Sequence, residues 1–394
     1  MLLESTTPAI AIASPRRSAL TFGLITKAAD LEALTPAWQD LVKASSTPEP
    51  MLAPAWLVQW WRTYGNAREL CVGTIRDGAR LVGLAPLCRS RYWHRPGIPF
   101  TRLEFVGADV DEQDGVCSEY LGLVTHAGYE DSVRDLFIRE ANRGAFGAWD
   151  EIVLSSMNGG DPSVARLEAG FRDTGCLADQ QVHTESPYLT LPATWEGYLA
   201  SLEKKRRNNI KRALRDFEAW AGNAWNLEQA CTPDDLARGQ AILRSLHGER
   251  WNSHGAFASS RFTAFHDAYM PQALADGALD LFWISVRGEP VAVHYQLVAN
   301  RKAYFYQCGR KLDVPEKVRI GIVLVSLAIK RAIEQGLREY DFLGGPAFYK
   351  MQMTSTTRPI VNLRLARPGL RESARRAAAC AIDWARGLRQ LLKR

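Results

Sequence analysis

Asp280-Leu-Phe-Trp-Ile-Ser-Val-Arg287, followed by Gly288-Glu-Pro290, begins the stretch of sequence from which the fold can be predicted. The first segment is rich in β-branched and aromatic residues, and the second is typical of a turn. Two more runs of the first kind follow, Val291–Ala299 and Ala303–Cys308, with a short turn between them. Residues 280–308 therefore predict a meander of three strands.

A helix and a further strand are predicted after the meander. A charged loop, Gly309 to Arg319, leads into a helical segment. Gly336 suits the C-cap of that helix, and Tyr340-Asp-Phe-Leu343 predicts a last strand. The apolar residues that recur at a helical period are Ile322, Val323, Leu327, Ile329 and Ile333. We therefore interpret residues 280–350 as one continuous scaffold.

Length and composition indicate a globular chain of two domains. Of its 394 residues 46% are apolar, and no apolar run reaches the roughly 18 residues of a membrane span. The apolar segment Ala9–Ala13 is too short for the core of a secretory signal, and Arg16 and Arg17 follow it instead of preceding it. Seven cysteines without a C-x-x-C pair argue against a disulfide framework or a zinc site. The sequence therefore predicts a cytoplasmic protein that begins with a flexible lead.

The two halves of the chain repeat the same order of elements. The strand–turn–strand segment 69–87 has its counterpart at 281–297. The predicted helix 131–142 is followed by a strand at 149–154, just as the helix of the second half is followed by the strand at 339–343. No short tandem period is visible, which favours domain duplication over a solenoid.

This duplication predicts an α+β fold of two tandem units, each a mixed, mostly antiparallel sheet flanked by helices. The expected boundaries are a lead at 1–18, a first domain at 19–185, a second domain at 186–367 and a basic helical tail at 368–394.

The positive charge of the chain is concentrated in two places. The formal net charge is +6, with one basic cluster at 204–215 and another at 371–394. Each cluster is either a solvated helix face or a surface for an anionic partner, such as a nucleotide phosphate, nucleic acid or an acidic lipid surface. The tail is expected either to pack on the body of the protein or to contact a membrane peripherally.

A series of short motifs carries a resemblance to a known family. They are Pro54–Trp61, Leu81–Leu87, Leu103–Gly107, Lys204–Arg212, His247–Trp251, Gly255–Phe257, Gly321, Tyr340–Gly345 and Tyr349-Lys350. In this order and spacing the chain resembles the GNAT-superfamily acyltransferases of the CelD/BcsL (BioF2-like) family, which is associated with cellulose biosynthesis. That family is distantly similar to the FemABX peptidyltransferases.

The resemblance implies two tandem GNAT-like domains that move an acyl group from a thioester donor to an amine or hydroxyl. It implies a saccharide or another cell-envelope precursor as the acceptor, and acyl-CoA as a co-substrate rather than a permanently bound cofactor. Lys317-Val-Arg-Ile-Gly321 departs from the usual pyrophosphate loop, Gln/Arg-x-x-Gly-x-Gly/Ala, so an acyl-carrier protein remains an alternative donor. Leu343-Gly-Gly-Pro346 stands where the family has an arginine, which we expect to alter contacts with the acceptor.

The donor is expected at the start of the predicted helix, because N–H groups at a helix N-terminus attract phosphate. Lys317 and Arg319 precede that helix, and Gly321 permits close approach of the backbone. The predicted donor-binding residues are Lys317, Arg319, Ile320, Gly321 and Ile322.

Four residues are candidates for catalysis. His247 is a general base by residue type, and Asp341 is a carboxylate on a strand that should be central. Tyr306 is a candidate acid for the thiolate leaving group, and Lys350 matches, by resemblance to FemABX proteins, a lysine that stabilises the oxyanion. The candidates for substrate binding are Arg250, Trp251, His294 and Tyr349.

Two alternatives to acyl transfer from a small thioester remain open. One is a FemABX-type transferase that uses aminoacyl-tRNA, with the basic helix at 204–215 holding the RNA backbone. Apart from that alternative, nucleic acid is not an expected partner. The other is a degenerate GNAT pair that binds without catalysis. Because the sequence has no nucleophile elbow, metal-ligand cluster or P-loop, hydrolase, metalloenzyme and kinase activities lack support.

Overall fold

A computed structural model describes residues 19–109, 114–251 and 255–391. The predicted lead at 1–18 lies outside these residues. In the first half of the chain the elements are β1 (Thr21–Ile25), α1 (Ala28–Ala33), α2 (Thr35–Lys43), α3 (Pro54–Tyr64), β2 (Glu69–Leu70), β3 (Val72–Asp77), β4 (Arg80–Ala85), β5 (Leu87–His94), β6 (Ile98–Phe105), β7 (Val124–Thr125), α4 (Glu130–Arg143), β8 (Glu151–Asn158), α5 (Pro162–Asp173) and β9 (Leu177–Thr190).

In the second half they are α6 (Trp195–Ser201), α7 (Lys204–Ala221), β10 (Trp225–Gln229), α8 (Pro233–Trp251), α9 (Ser260–Ala275), β11 (Leu279–Val286), β12 (Glu289–Ala299), β13 (Lys302–Arg310), α10 (Ile320–Glu334), β14 (Glu339–Asp341), α11 (Phe348–Met353), β15 (Thr357–Ala366) and α12 (Leu370–Leu391). The predicted meander corresponds to β11, β12 and β13, and the predicted helix to α10. The predicted α+β class with flanking helices and a C-terminal basic helix is confirmed.

The strands form a four-stranded sheet, β1-β3-β4-β7, and an eleven-stranded sheet that runs through both halves of the chain. The larger sheet has the order β10-β11-β12-β13-β14-β9-β15-β8-β6-β5-β2. Among the described strands, the pairing is antiparallel except between β13 and β14 and between β6 and β8. Each half of the chain therefore contributes one parallel pair, which agrees with the duplication seen in the sequence.

Two strands join the halves. The long strand β9 pairs with β15 over most of its length, and its last residues, Tyr188–Thr190, pair with β14. The opposite edge of β15 pairs with β8 of the first half. The expected boundary at residues 185 and 186 thus lies inside β9, and β15, which belongs to the second half in sequence, extends the sheet of the first.

Helices cover both faces of the meander. Leu281 and Trp283 of β11 lie in one apolar core with residues of α8, α9 and the first half of the chain. Phe282 and Ile284, which point the other way because side chains alternate along a strand, lie in a second core with α7 and α10. The end of β13 therefore lies between two helical layers.

A buried carboxylate on β8 links its strand to β5, β6 and β15 of the large sheet. Glu151 of β8 accepts hydrogen bonds from Arg102 Nε at 2.8 Å and Arg364 Nε at 2.6 Å, and its carboxylate lies 3.0 Å from His94 Nε2. Burial by itself raises the pKa of Glu151, but the hydrogen bond with His94 and the two guanidinium groups outweigh it and lower that pKa to about 2.

We expect Glu151→Leu to lower the free energy of unfolding by about 3–5 kcal/mol, because it removes the buried carboxylate that Arg102 and Arg364 share. The carboxylate contributes this stability above its ordinary pKa of 4.5 and loses it as the pH falls towards 2, since the folded state binds the proton more weakly. Urea unfolding at pH 7 measures the loss. Glu32→Gln, at the exposed pair with Arg62, is the control and should cost less than about 1 kcal/mol. An equally small loss for Glu151→Leu would contradict the prediction.

Candidate functional site

The two parallel strands of the second domain, β13 and β14, separate after a short pairing. β13 and β14 pair over a short length only, with Lys302–Tyr304 of β13 beside Glu339–Asp341 of β14. Beyond this point β13 continues to Arg310, whereas β14 ends and the chain turns away. The turn begins at Leu343, whose φ of +55° lies in the left-handed region, so the last strand is shorter than predicted. A gap between the two strands results.

A cavity of about 340 Å³ lies beside this gap. The end of β13, the start of α10 and the short helix α11 form its walls. It is lined by Cys308, Gly309, Arg310, Val314, Pro315, Glu316, Arg319, Gly321, Ile322, Leu324, Val325, Phe348, Tyr349 and Gln352. Four predicted site residues are therefore brought together here: Arg319, Gly321, Ile322 and Tyr349.

The start of α10 is held by a bond to another helix. Arg319 adopts a φ of +47° and precedes the helix. Its guanidinium donates to Asn209 Oδ1 of α7 and lies 4.0 Å from Asp216 of the same helix. Lys317 is exposed on the preceding turn, and Ile320 is buried. Arg319 therefore anchors α7 beside the cavity, and Gly321 and Ile322 of the first helical turn line it.

Lys350 of α11 follows the lining residue Tyr349 in the sequence, and its side chain is only 8% exposed. Its Nζ donates to the carbonyl oxygens of Leu343 at 3.0 Å and Gly344 at 2.7 Å. Burial lowers the pKa of Lys350, and the negative charge of Glu119 opposes that effect. An ammonium group has three donors, so these two contacts leave one for a ligand.

A carboxylate from the first domain faces the same turn. Both oxygens of Glu119 accept the N–H of Gly344, at 2.7 and 2.8 Å. Burial, followed by the nearby charge of Asp341, raises the pKa of Glu119 to about 8. A carboxyl group that exchanges its proton near neutral pH, beside a buried ammonium, can accept a proton from an attacking amine.

The buried carboxylate of Asp341 connects this turn to Tyr120 of the first domain through hydrogen bonds. Its carboxylate accepts hydrogen bonds from Tyr120 Oη at 2.6 Å, Ser186 Oγ at 2.9 Å and the N–H of Leu343 at 2.7 Å. Arg358 lies 3.8 Å away, and burial raises the pKa of Asp341. The predicted catalytic Asp341 is thus fully buried. It fixes the turn to which Lys350 and Glu119 are both hydrogen-bonded.

The other two predicted catalytic residues lie on the face of the meander that α8 and α9 cover. His247 is buried on α8, packs against Phe257 and meets the backbone of Gly309. Tyr306 donates its hydroxyl to the carbonyl of Val116 at 2.6 Å. Burial raises the pKa of Tyr306 well above its ordinary value. Their catalytic roles stay predictions.

Of the remaining candidates for substrate binding, His294 is fully buried, with Nε2 2.8 Å from Tyr340 Oη. Desolvation lowers the pKa of His294 to about 3, so the ring is neutral and part of the core. Trp251 is partly exposed at the end of α8. The side chain of Arg250 lies outside what the structure describes.

Sequence reasoning missed the residues that reach the site from elsewhere in the chain. Glu119 and Tyr120 lie in the irregular segment between β6 and β7, and no periodicity marks them. Ser186 begins the predicted second domain, and no local pattern gives it a role. The one local signal was the run Cys117-Ser-Glu-Tyr-Leu121, a polar group between apolar residues, which is equally typical of an ordinary loop.

Comparison with known proteins agrees with this geometry. Residues 204–351, which include Lys350 and all the residues that line the cavity except Gln352, match the family model of an acetyltransferase (GNAT) domain. No curated protein sequence matches the chain.

Solved structures extend the likeness over both halves. The crystal structure of FemX is 12% identical, with 84% of this chain and 95% of that chain covered and a TM-score of 0.58. A conserved protein of unknown function from Bacteroides thetaiotaomicron is 12% identical, covers 89% and 100% of the two chains and has a TM-score of 0.53. The C-terminal domain of a protein assigned as a lysylphosphatidylglycerol synthetase from Agrobacterium fabrum is 15% identical, with coverages of 92% and 98% and a TM-score of 0.50.

At these identities the likeness to solved structures concerns the fold. It agrees with the two tandem units expected from the duplication, and residues 204–351 of the second unit match the GNAT family model. The chain thus has a tandem GNAT-like fold, and the match of residues 204–351 to an acetyltransferase (GNAT) domain supports a transferase.

Proposed function

We propose that this protein moves an acyl group from a thioester donor, acyl-CoA or an acyl-carrier protein, to an amine or hydroxyl of a saccharide or cell-envelope precursor. The observation that carries this proposal is the cavity at the separated strands, next to a buried Lys350 whose neighbour Glu119 comes from the other domain. The resemblance to the CelD/BcsL family supports the class of acceptor.

The cavity suits the arm of a thioester donor. Val314, Ile322 and Phe348 give it apolar walls, and Arg310 and the start of α10 provide positive charge at its mouth. Since the Arg319 guanidinium is bonded to Asn209, Lys317 and Arg310 are the cations that we assign to the donor phosphates. This arrangement accommodates a coenzyme A thioester or a carrier-protein thioester.

The reaction follows from the two groups at the turn. The acceptor nitrogen attacks the thioester carbonyl carbon, so that a C–N bond forms and the C–S bond then breaks. The third N–H of Lys350 stabilises the negative charge that develops on the carbonyl oxygen. Glu119, when ionised, takes the proton from the nitrogen and passes it to the departing thiolate, which leaves as a thiol. Asp341 acts as a positioning residue for both.

A second candidate is transfer from aminoacyl-tRNA, and the position of α7 favours it. The helix exposes Lys204, Lys205, Lys211, Arg212 and Arg215. Through Arg319 it is bonded to the wall of the donor cavity, so RNA phosphates on α7 would lie near the cavity mouth. In that case affinity for the donor would fall steeply with salt. A purely binding role for the tandem domains is the third alternative.

We also infer a cytoplasmic protein whose tail contacts a membrane surface. Leu370 is 92% exposed and Trp384 is 72% exposed on α12, which leaves apolar area uncovered. No helix within the described residues is long and apolar enough to cross a bilayer.

Filling the cavity tests where the donor binds. A Cβ at Gly321 would meet only Arg310 Cδ, at 3.8 Å, so Gly321→Phe adds a ring to the cavity wall without a clash at its first atom. We expect its affinity for the donor to fall by at least about tenfold, because the ring occupies space that the donor needs. Isothermal titration calorimetry with coenzyme A, acetyl-CoA, longer acyl-CoAs, an acylated carrier protein and aminoacyl-tRNA measures this change and ranks the donors.

Gly369→Phe is the matched control, because a Cβ there meets open space before α12. It should bind as the wild type does. If none of the thioesters or aminoacyl-tRNA binds the wild type, acyl transfer is ruled out. If one binds equally well to Gly321→Phe, the donor site lies elsewhere.

A further inference from the structure

Helix α7 carries a run of positive charge on its exposed face. Residues 204–215 contain seven basic residues and no acidic one. The opposite face is buried and consists of Ile210, Ala213, Phe217 and Ala221. The ion pairs described for α7 are both formed by Asp216, with Arg215 and with Arg319. Most of the positive charge of this run is therefore open to an anionic partner.

Two of these cations lie at the rim of the donor cavity. One stripe of the helix, with spacings of four, three and four residues, consists of Lys205, Asn209, Arg212 and Asp216. Asn209 accepts a hydrogen bond from the guanidinium of Arg319, which lines the cavity, and Asp216 lies 4.0 Å from the same group. Lys205 and Arg212 are exposed on this stripe. They therefore flank the point at which α7 meets the cavity.

Two large apolar side chains are exposed around the same cavity. Phe348 lines it and is 80% exposed. Leu312 is 54% exposed on the loop between β13 and α10, and Arg310 and Val314 of that loop line the cavity. Exposed apolar residues beside a charged rim are typical of a surface that binds another protein. RNA is bound through its phosphates and stacked bases, and a leucine side chain contacts neither, so the surface favours a protein over RNA.

The cavity itself suits an arm that is attached to such a protein. Free coenzyme A presents a diphosphate, but Lys317-Val-Arg-Ile-Gly321 lacks the glycine spacing of the usual pyrophosphate loop. A phosphopantetheine arm carries a single phosphodiester, for which Lys317 and Arg310 suffice, and its protein supplies further affinity. The cavity measures about 340 Å³ and has apolar walls, so it accommodates the arm without a nucleotide.

We propose that α7 and the mouth of the donor cavity form the docking surface for an acidic carrier protein, which delivers the acyl group on its phosphopantetheine arm. The inference rests on the proposed acyl transfer and deepens it by assigning the donor to a carrier protein and giving that protein a site. Acidic side chains of the carrier pair with α7, and Leu312 and Phe348 contact its apolar surface. In the reaction the C–S bond to the arm breaks as the C–N bond forms, and the arm leaves as a thiol.

Reversing the charge at the cavity rim tests this assignment. The variant combines Lys205→Glu with Arg212→Glu in the full chain. The probes are an acetylated bacterial acyl-carrier protein, S-acetylpantetheine as the isolated uncharged arm, acetyl-CoA and aminoacyl-tRNA. Isothermal titration calorimetry at low salt gives the affinity of the wild type and of the variant for each probe.

We expect the wild type to bind the acetylated carrier protein at least about tenfold more tightly than S-acetylpantetheine, because only the protein contacts α7. The double variant should lose at least about tenfold in affinity for the carrier protein, since its carboxylates repel an acidic partner. Its affinity for S-acetylpantetheine should stay within about twofold of the wild type, because the uncharged arm does not meet the reversed side chains. That result also shows that the variant is folded.

Two further variants complete the design. Lys27→Glu combined with Lys43→Glu is the matched control, because it changes the net charge equally at exposed lysines beside α1 and on α2. It should bind the carrier protein as the wild type does. Leu312→Ser should weaken binding of the carrier protein and leave S-acetylpantetheine unaffected, since it removes an apolar contact outside the cavity.

Several outcomes would overturn the assignment. Equal affinity of the wild type for the carrier protein and for S-acetylpantetheine would exclude a docking surface, as would undiminished binding of the carrier protein by the double variant. If acetyl-CoA binds more tightly than the carrier protein, the donor is the free coenzyme. If aminoacyl-tRNA is the ligand that the double variant loses, α7 binds RNA. These results differ from failure of the proposed function, in which the wild type binds none of the donors.

Discussion

Lys350→Met is expected to lower kcat by about 10²–10³-fold, the usual loss when one oxyanion donor is removed. The buried ammonium is held by two carbonyl groups of the turn after β14, and in the proposed reaction its third proton stabilises the charge on the reacting carbonyl. Met has a similar length and no charge, so the variant removes the donor and keeps most of the packing. Single-turnover transfer from the donor identified by calorimetry measures the effect on chemistry apart from product release.

Two variants separate this role from a structural one. Lys350→Arg keeps the charge but replaces a compact ammonium by a planar group that the turn does not fit, and we expect it to recover only part of the rate. Lys330→Met, at an exposed lysine on α10, should match the wild type. The affinity of Lys350→Met for the donor should stay within about twofold of the wild type, because the lysine acts in the transition state. A rate equal to the wild type would remove Lys350 from the site.

Glu119→Gln is expected to lower kcat/KM by about 10²–10⁴-fold, the usual contribution of a general base. The amide still accepts the N–H of Gly344 through its oxygen, so the loop keeps its position while the group that receives the proton is lost. Steady-state kinetics with D-glucosamine as the acceptor measures the loss.

The pH profile identifies the group. A general base works in its ionised form, so kcat/KM of the wild type should rise as the pH increases through about 8, where Glu119 loses its proton. At more alkaline pH the rate should fall as Lys350 loses the proton with which it stabilises the oxyanion. In Glu119→Gln the rise near pH 8 should be absent. If the variant keeps both that rise and the rate of the wild type, the acceptor amine titrates there and Glu119 is not the base.

The parts of the fold that were predicted correctly depend on local patterns. The period-two runs from residue 280 to 308 and the helical period of Ile322–Ile333 are confirmed in β11, β12, β13 and α10. A strand or helix with one buried face needs that spacing of apolar residues, so the sequence records it directly. The repeated order of elements also predicted two tandem units, and the family resemblance predicted that they are GNAT-like.

Local sequence patterns do not predict which distant strands pair with each other. β15 belongs to the second unit in sequence, but it pairs with β8 of the first half and with β9. Similarly, β14 ends early because Leu343 enters a left-handed turn, and neither its composition nor its period marks that change. Pairing partners are chosen by the packing of the whole sheet, which no window of a few residues contains.

The sequence by itself therefore determined the meander, the helix that starts at the donor cavity, and, through the order of its motifs, the candidate Lys350. The tertiary structure alone decided what surrounds that lysine. Glu119 and Gly344 are 225 residues apart, and Tyr120 and Asp341 are 221 apart, yet each pair is hydrogen-bonded. An irregular loop has no periodic signal, and its side chains acquire neighbours only when the two domains close on one shared sheet. For this reason the lysine could be predicted from the sequence, and the carboxylate beside it could not.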